Sequence, residues 1–171
     1  SVRLGWIGGQ VPPIYYDDMA EFREWLPMDS REVNFSIEGS VDADDVSDYY
    51  MDPVEYGFGK LVTLDRDYVG RDAVEERLEN QSRRYVSLLW DDDDVADVYG
   101  SLFSEGPANM FFDLPRHRVA NAAHDAVLVD GEVVGHSRRR SYQPDIRGIA
   151  SLAVVDVEYS EPGTEVTVVW G

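Results

Sequence analysis

The sequence predicts an α+β fold whose second half is a small antiparallel barrel or sandwich carrying one short helical insertion. Three observations lead there. Apolar residues recur at helical spacing only in short stretches, around 17–26, 72–80 and 94–103. After residue 84 the pattern is dominated by short β-type runs separated by turn residues. One of those turns, Asp130-Gly131, lies between two apolar runs and favours the positive φ values of a type I′ hairpin.

Taken in order, residues 1–16 are punctuated by Gly8-Gly9 and Pro12-Pro13 and read as extended and loop-like. Asp17 or Asp18 can cap a helix to Leu26, with Met19, Phe22 and Leu26 on one face and Pro27 ending it. Val33, Phe35 and Ile37 alternate as in a half-buried strand over 32–38. An acidic loop comes next at 39–52, with Tyr49-Tyr50 near its end. Pro53 to Tyr56 suits a helical turn, and 58–64 suits a strand. A helix over 72–80 turns Ala73, Val74 and Leu78 inward, with Glu75 and Glu76 early enough to suit its dipole.

Gln81 to Arg84 form a polar junction, read here as the boundary between a unit spanning 1–83 and a second spanning 84–171. Tyr85 to Trp90 is a strand. The Asp91–Asp94 run is a solvated loop and cap for a helix over 94–103 that carries Val95, Val98 and Leu102. Strands at 126–129 and 132–137 flank Asp130-Gly131; two more, at 149–157 and 164–170, flank a turn at Glu161-Pro162-Gly163.

Charge narrows the function classes. Thirty-four acids face fifteen bases for a net charge of −19, and Lys60 is the only Lys. That combination is typical of proteins working in molar salt. At about 1 M salt the Debye length is roughly 3 Å, so self-repulsion is screened. Arg pairs bidentately and is less strongly hydrated than Lys, which fits the bias. The alternative is an acidic protein of ordinary ionic strength.

Nucleic acid is disfavoured as a partner, because the one basic run is Arg138-Arg139-Arg140. There is no secretory pattern and no apolar run long enough to span a membrane, so the expectation is a cytoplasmic protein without membrane partners. With no Cys, thiol catalysis and Cys-ligated zinc are excluded. The chain opens on Ser1, in what reads as mid-element sequence, and is expected to be a fragment or excised domain, with a lost N-terminal tag or Met as the alternative.

Residue chemistry alone leaves function open. His117 and His124 lie seven apart with no acid at helical spacing, a poor metal pattern. No nucleophile elbow is present, and Gly57, Gly59 and Gly70 do not make a phosphate loop. The Asp91–Asp94 run lacks the spaced ligands of a calcium loop. Arg138 and Arg139 are candidate anion-binding residues, with pairing to the chain's own acids as the plainer reading. Trp6, Tyr49 and Tyr50 can line a pocket for a flat ring, or simply fill a core.

Two stretches carry a family likeness. Met51-Asp52-Pro53-Val54-Glu55-Tyr56-Gly57-Phe58 is succeeded by Asp67-Tyr68-Val69-Gly70-Arg71-Asp72-Ala73-Val74. Together they resemble a signature of the glycine-cleavage T-protein (aminomethyltransferase) superfamily, T-P-x-E-x-G-L, a strand, then D-F-I-G-R-E-A-L. Gly148 to Val155, with Pro162-Gly163-Thr164-Glu165-Val166, resembles the closing pattern I-A-L-A-x-V and P-G-T-x-V. Gly5-Trp6-Ile7, Pro12 to Tyr15, Phe22 to Pro27, Asp48-Tyr49-Tyr50 and Val168 to Gly171 are similar to the vanillate/syringate-type O-demethylase branch.

The resemblance implies tetrahydrofolate as cofactor, a small-molecule one-carbon donor, and a chain forming only the C-terminal portion of such an enzyme. Its first unit would end a folate-binding α+β region. Its second would be the C-terminal barrel, and the N-terminal portion, in the same or a complementary chain, would bring the catalytic acid. By the same resemblance Tyr49, Tyr50 and Trp6 would sit near folate or donor, Arg66 near the folate's anionic end, and Glu55 at the motif acid. Two places depart: Arg3 stands where the family has a pterin-contacting Glu, and Ser137-Arg138-Arg139 stands where the family's K-x-V-G-x-V-T-S-G strand, which the hairpin with Asp130-Gly131 and Val134-Gly135 resembles, ends in T-S-G. The competing reading is a non-catalytic β-barrel module for ligand binding or subunit assembly.

Overall fold

A computed structural model describes residues 11, 13–112, 114 and 121–171. The chain is mixed helix and sheet. In order come α1 (Ala20–Trp25), β1 (Ser36–Glu38), α2 (Arg71–Glu79), β2 (Arg83–Leu89) and α3 (Asp92–Ser101). After these come β3 (Asn121–Ala123), β4 (Asp125–Val129), β5 (Glu132–Gln143), β6 (Gly148–Asp156) and β7 (Thr167–Val169).

The main sheet has five strands in the order β2-β6-β5-β4-β7, antiparallel throughout. It does not close. The barrel expected from the strand count is replaced by an open sheet with β2 and β7 as its edges. A groove of about 960 Å³ separates those edges, lined by Trp90, Val95, Val98, Phe112, Val166 and Trp170. The expected last strand also shortens to Thr167–Val169.

Local signals set much of this framework. Asp130 and Gly131 have φ of 51° and 88°, as a type I′ turn between β4 and β5 requires. Gly163, at φ 93° after Pro162, closes the later turn, where Thr164 N–H donates to the Glu161 carbonyl at 3.2 Å. Asp91 caps α3, its Oδ1 accepting from the N–H groups of Asp93 and Asp94 at 2.9 and 3.1 Å. Gly135 is demanded by packing: a Cβ there would lie 2.1 Å from the Val154 carbonyl oxygen of β6.

Tertiary context overrides the sequence pattern elsewhere. The strand expected at 58–64 is a 3-10 turn over Phe58–Leu61 leading into irregular chain. Only Ser36–Glu38 of the expected 32–38 strand is extended into a ladder, and it pairs in parallel with β3, 85 positions away from Ser36 at Asn121. The helices expected to turn apolar faces inward hold no buried residue in α1, α2 or α3.

The core lies on one face of the sheet. Val127, Val134, Ala153 and Val155 are buried there, with Val86, Leu88, Val166 and Val168 packed around them. The opposite face carries Ala150, Leu152 and Tyr85. It is covered by the 46–58 segment, which holds the Tyr49-Tyr50 pair. Among the described residues, no helix is long and apolar enough to cross a membrane.

Candidate functional site

Strand β5 carries both buried polar clusters of the sheet. Arg138 faces Leu152 in register and Ser137 faces Ala153, so the two side chains emerge on opposite faces. The register then shifts between Arg138 and Ser141, where Arg139 adopts φ 56°. A bulge of this kind inserts one extra residue and re-aims the side chains beyond it. Arg139 turns to solvent, and Arg140 joins the face of Ser137 rather than that of Arg138. A basic tripeptide thus delivers one guanidinium to each face of the sheet.

On the Ser137 face, Arg140 pairs with Asp125; both side chains are almost wholly buried. The Arg140 guanidinium lies 5.0 Å from the Phe112 ring centroid. Trp90 Nε1–H donates to Ser151 Oγ at 3.0 Å, and Ser137 Oγ–H donates to the same oxygen at 2.7 Å. Trp90, Phe112 and Trp170 close over this end of the sheet with centroids 5.1–6.2 Å apart.

The Arg138 face is organised differently. Arg138 is 4% exposed, and its Nη2 donates to Tyr56 Oη at 2.5 Å and to Met51 Sδ at 3.3 Å. Its guanidinium lies 5.9 and 5.6 Å from the ring centroids of Tyr56 and Tyr85. No carboxylate among the described residues pairs with it, and Nε is buried without an acceptor. Beside it, His124 and His136 stack edge-on at 4.6 Å, and Tyr49 meets His124 at 4.8 Å. Both His124 nitrogens and His136 Nε2 are buried without hydrogen-bond partners.

Those imidazoles are neutral. Burial, then the Arg138 charge, drops His124 to about 3. Burial, then His124 and Arg138, drops His136 to about 2. Burial also pushes the Tyr85 phenol up against the pull of Arg138. An unmade hydrogen bond at a buried polar group costs about 1–3 kcal/mol, and an unpaired buried charge more. This face therefore holds one cation and several polar ring nitrogens with few acceptors turned toward them.

The sequence-derived candidates divide around this layer. Tyr49 is buried, and its Oη–H donates to the Val41 carbonyl at 3.0 Å. Tyr50 is half-buried and stacks on Tyr16 at 4.8 Å, with burial raising its phenol. Glu55 is turned to Arg83, whose Nε–H donates to Glu55 Oε1 at 2.7 Å. The other Arg83 donors reach the carbonyls of Asp48 and Tyr50 at 3.0 and 2.9 Å. Glu55 Oε2 accepts from Asp52 N–H at 2.9 Å. Arg66 is exposed on the loop before α2 and is not gathered with the tyrosines. Trp6 and His117, like Arg3, lie outside the described residues. Among the described residues no group of three or more potential metal ligands converges.

Sequence reasoning does not single out Arg83, Tyr56, His124 and His136 as a cluster. A signal exists: Val134, His136 and Arg138 occupy positions of one parity in the strand that opens at Glu132. Polar residues at the buried parity of a strand need partners, so such a pattern marks a polar layer.

The chain resembles proteins that transfer one-carbon units. It is 32% identical over 172 residues to syringate O-demethylase of a Sphingobium species, a match covering all of this chain and 37% of that protein. It is 32% identical over 172 residues to sesamin methylene transferase of a Sinomonas species, covering 93% of this chain and 38% of that one. An aminomethyltransferase of Clostridium botulinum is 28% identical over 121 residues, covering 69% of this chain and 26% of that protein. No protein-family model matches the chain. The chain belongs to the glycine-cleavage T-protein (aminomethyltransferase) superfamily, and it spans a little over a third of the length of its first two relatives.

Proposed function

We propose that this chain is the C-terminal portion of a tetrahydrofolate-dependent enzyme that transfers a methyl or aminomethyl carbon, of the O-demethylase-like kind. The observation that carries the reading is the match of the whole chain to syringate O-demethylase over 37% of that protein. Exposed apolar side chains support it. Trp25, Met28, Leu61 and Val69 are each at least 79% exposed, an arrangement suited to packing against further protein.

The residues present fit a folate in one respect. The stacked Tyr16–Tyr50 pair offers a flat aromatic platform, partly open to solvent, on which a pterin ring can lie. When bound, tetrahydrofolate supplies the nitrogen that accepts the one-carbon unit. In this reading Tyr50 lines the folate or donor site, while Tyr49 and the Glu55–Arg83 pair hold the segment that presents it. The catalytic acid lies in the N-terminal portion, and the units 1–83 and 84–171 meet across the Arg138 layer. The acidic, Lys-poor composition belongs with a cytoplasmic protein of concentrated salt.

A second reading, a non-catalytic module for binding or assembly, is favoured by the engagement of Tyr49 and Glu55 in internal contacts. Tetrahydrofolate titration of this chain, and of a longer form extended upstream, separates the two. The transferase reading expects the longer form to bind tetrahydrofolate and to form methyl-tetrahydrofolate from an aryl methyl ether, with Tyr50→Ala weakening folate binding about tenfold, the size of one stacking contact. Failure of the longer form to bind tetrahydrofolate overturns it.

A further inference from the structure

We propose that Arg138, with the imidazoles of His124 and His136 beside it, is a receiving site for one carboxylate group of a small-molecule ligand. The inference does not rest on the folate reading and stands or falls separately from it.

The chain has thirty-four acidic residues, more than twice its bases. The other buried guanidinium of β5, Arg140, has Asp125. Arg83 has Glu55. Arg138, at 4% exposure, has no acid among the described residues; its contacts are a phenol oxygen, a thioether and two aromatic faces. In so acidic a protein a buried cation would find an internal acid readily, and the absence of one among the described residues points to a partner from outside.

The surrounding groups define that partner. A guanidinium offers a planar fork that matches a carboxylate, and Arg138 Nε–H is buried without an acceptor. A neutral imidazole donates one N–H, and His124 and His136 present buried ring nitrogens with nothing to receive them. The rings of Tyr56 and Tyr85 wall the fork on the sheet face. One positive charge balances one carboxylate. A phosphate dianion would leave a buried negative charge in a chain already at −19, so the monoanion is favoured.

Acetate is the probe. The 171-residue chain is titrated with sodium acetate at ionic strength held constant with sodium chloride, reading the ring resonances of His124, His136 and Tyr56 and the melting temperature. The site predicts saturable shifts confined to those rings and a melting temperature that climbs with acetate, as for any ligand bound only by the folded state. Arg138→Met abolishes both responses. Arg138→Lys, which keeps the charge but not the fork, weakens the acetate midpoint at least about fivefold and serves if the Met variant does not fold. Chloride and acetate acting alike, or an undiminished acetate response in Arg138→Lys, would overturn the proposal.

Discussion

Arg138 and Arg140 sit two positions apart on β5 and are both buried, yet they live under opposite electrostatic conditions. Arg140 faces Asp125 within the fold, on a face where Ser137, Ser151 and Trp90 are hydrogen-bonded to one another and Trp170 Nε1 is buried without an acceptor. Arg138 faces tyrosine rings and two neutral histidines. The bulge at Arg139 makes the difference, because it sends successive buried guanidiniums to opposite faces. A buried guanidinium paired with a carboxylate is compensated within the fold, whereas one without such a partner is where binding chemistry is to be sought.

The largest expected effect strikes the ion-paired side. Arg140→Met takes the buried guanidinium away from Asp125, which keeps the Gly171 N–H on Oδ1, and should cost about 3–5 kcal/mol, measurable by urea unfolding. A loss under about 1 kcal/mol would mean that the Gly171 N–H and its surroundings suffice for Asp125 and that the two faces are less distinct than the geometry implies.

Acid should act next most strongly, and through the other face. His124 and His136 are depressed to about 3 and about 2, against an unfolded value of 6.5. Depression means that the unfolded chain takes up protons that the folded chain refuses. Their contribution is thus complete above pH 6.5 and is lost as pH falls below it, at about 1.4 kcal/mol per pH unit for each histidine. The variant His124→Phe/His136→Phe should lose about two protons from the slope of stability against pH between about pH 6 and 5. An unchanged slope would place the acid sensitivity in the carboxylates instead.

Smaller effects test the struts. Glu55→Gln weakens the hold of Arg83 on the carbonyls flanking Tyr49 and should cost about 1–3 kcal/mol. Its further mark is faster hydrogen exchange across 48–55, which a purely local loss would not produce. Trp90→Phe removes one indole hydrogen bond while leaving Ser137 and Ser151 paired, and about 1 kcal/mol is expected.

Local chemistry was the legible part of the sequence. Asp130-Gly131 fixed a hairpin, Asp91 fixed a helix cap, and β2, β4 and β6 fell within a few residues of their expected places, because each depends on neighbours along the chain. The open sheet was not legible, since closure depends on whether β2 and β7 meet, which no pattern of neighbouring residues decides. Nor was the parallel β1–β3 pair, which joins segments far apart in sequence. The tyrosine pair and the basic tripeptide were recognisable as unusual. Their different fates were not, because a non-glycine residue at positive φ decides which arginine faces which side.

The difference between the two arginines is tested most directly by melting Arg138→Met and Arg140→Met side by side in acetate-free buffer. Removing a buried cation that no described acid neutralises should raise the melting temperature by a few degrees, while removing the partner of Asp125 should lower it by about 6–15 °C. Opposite signs are the predicted result. A comparable fall in both variants would refute the contrast, because it would show Arg138 to be as fully compensated within the fold as Arg140.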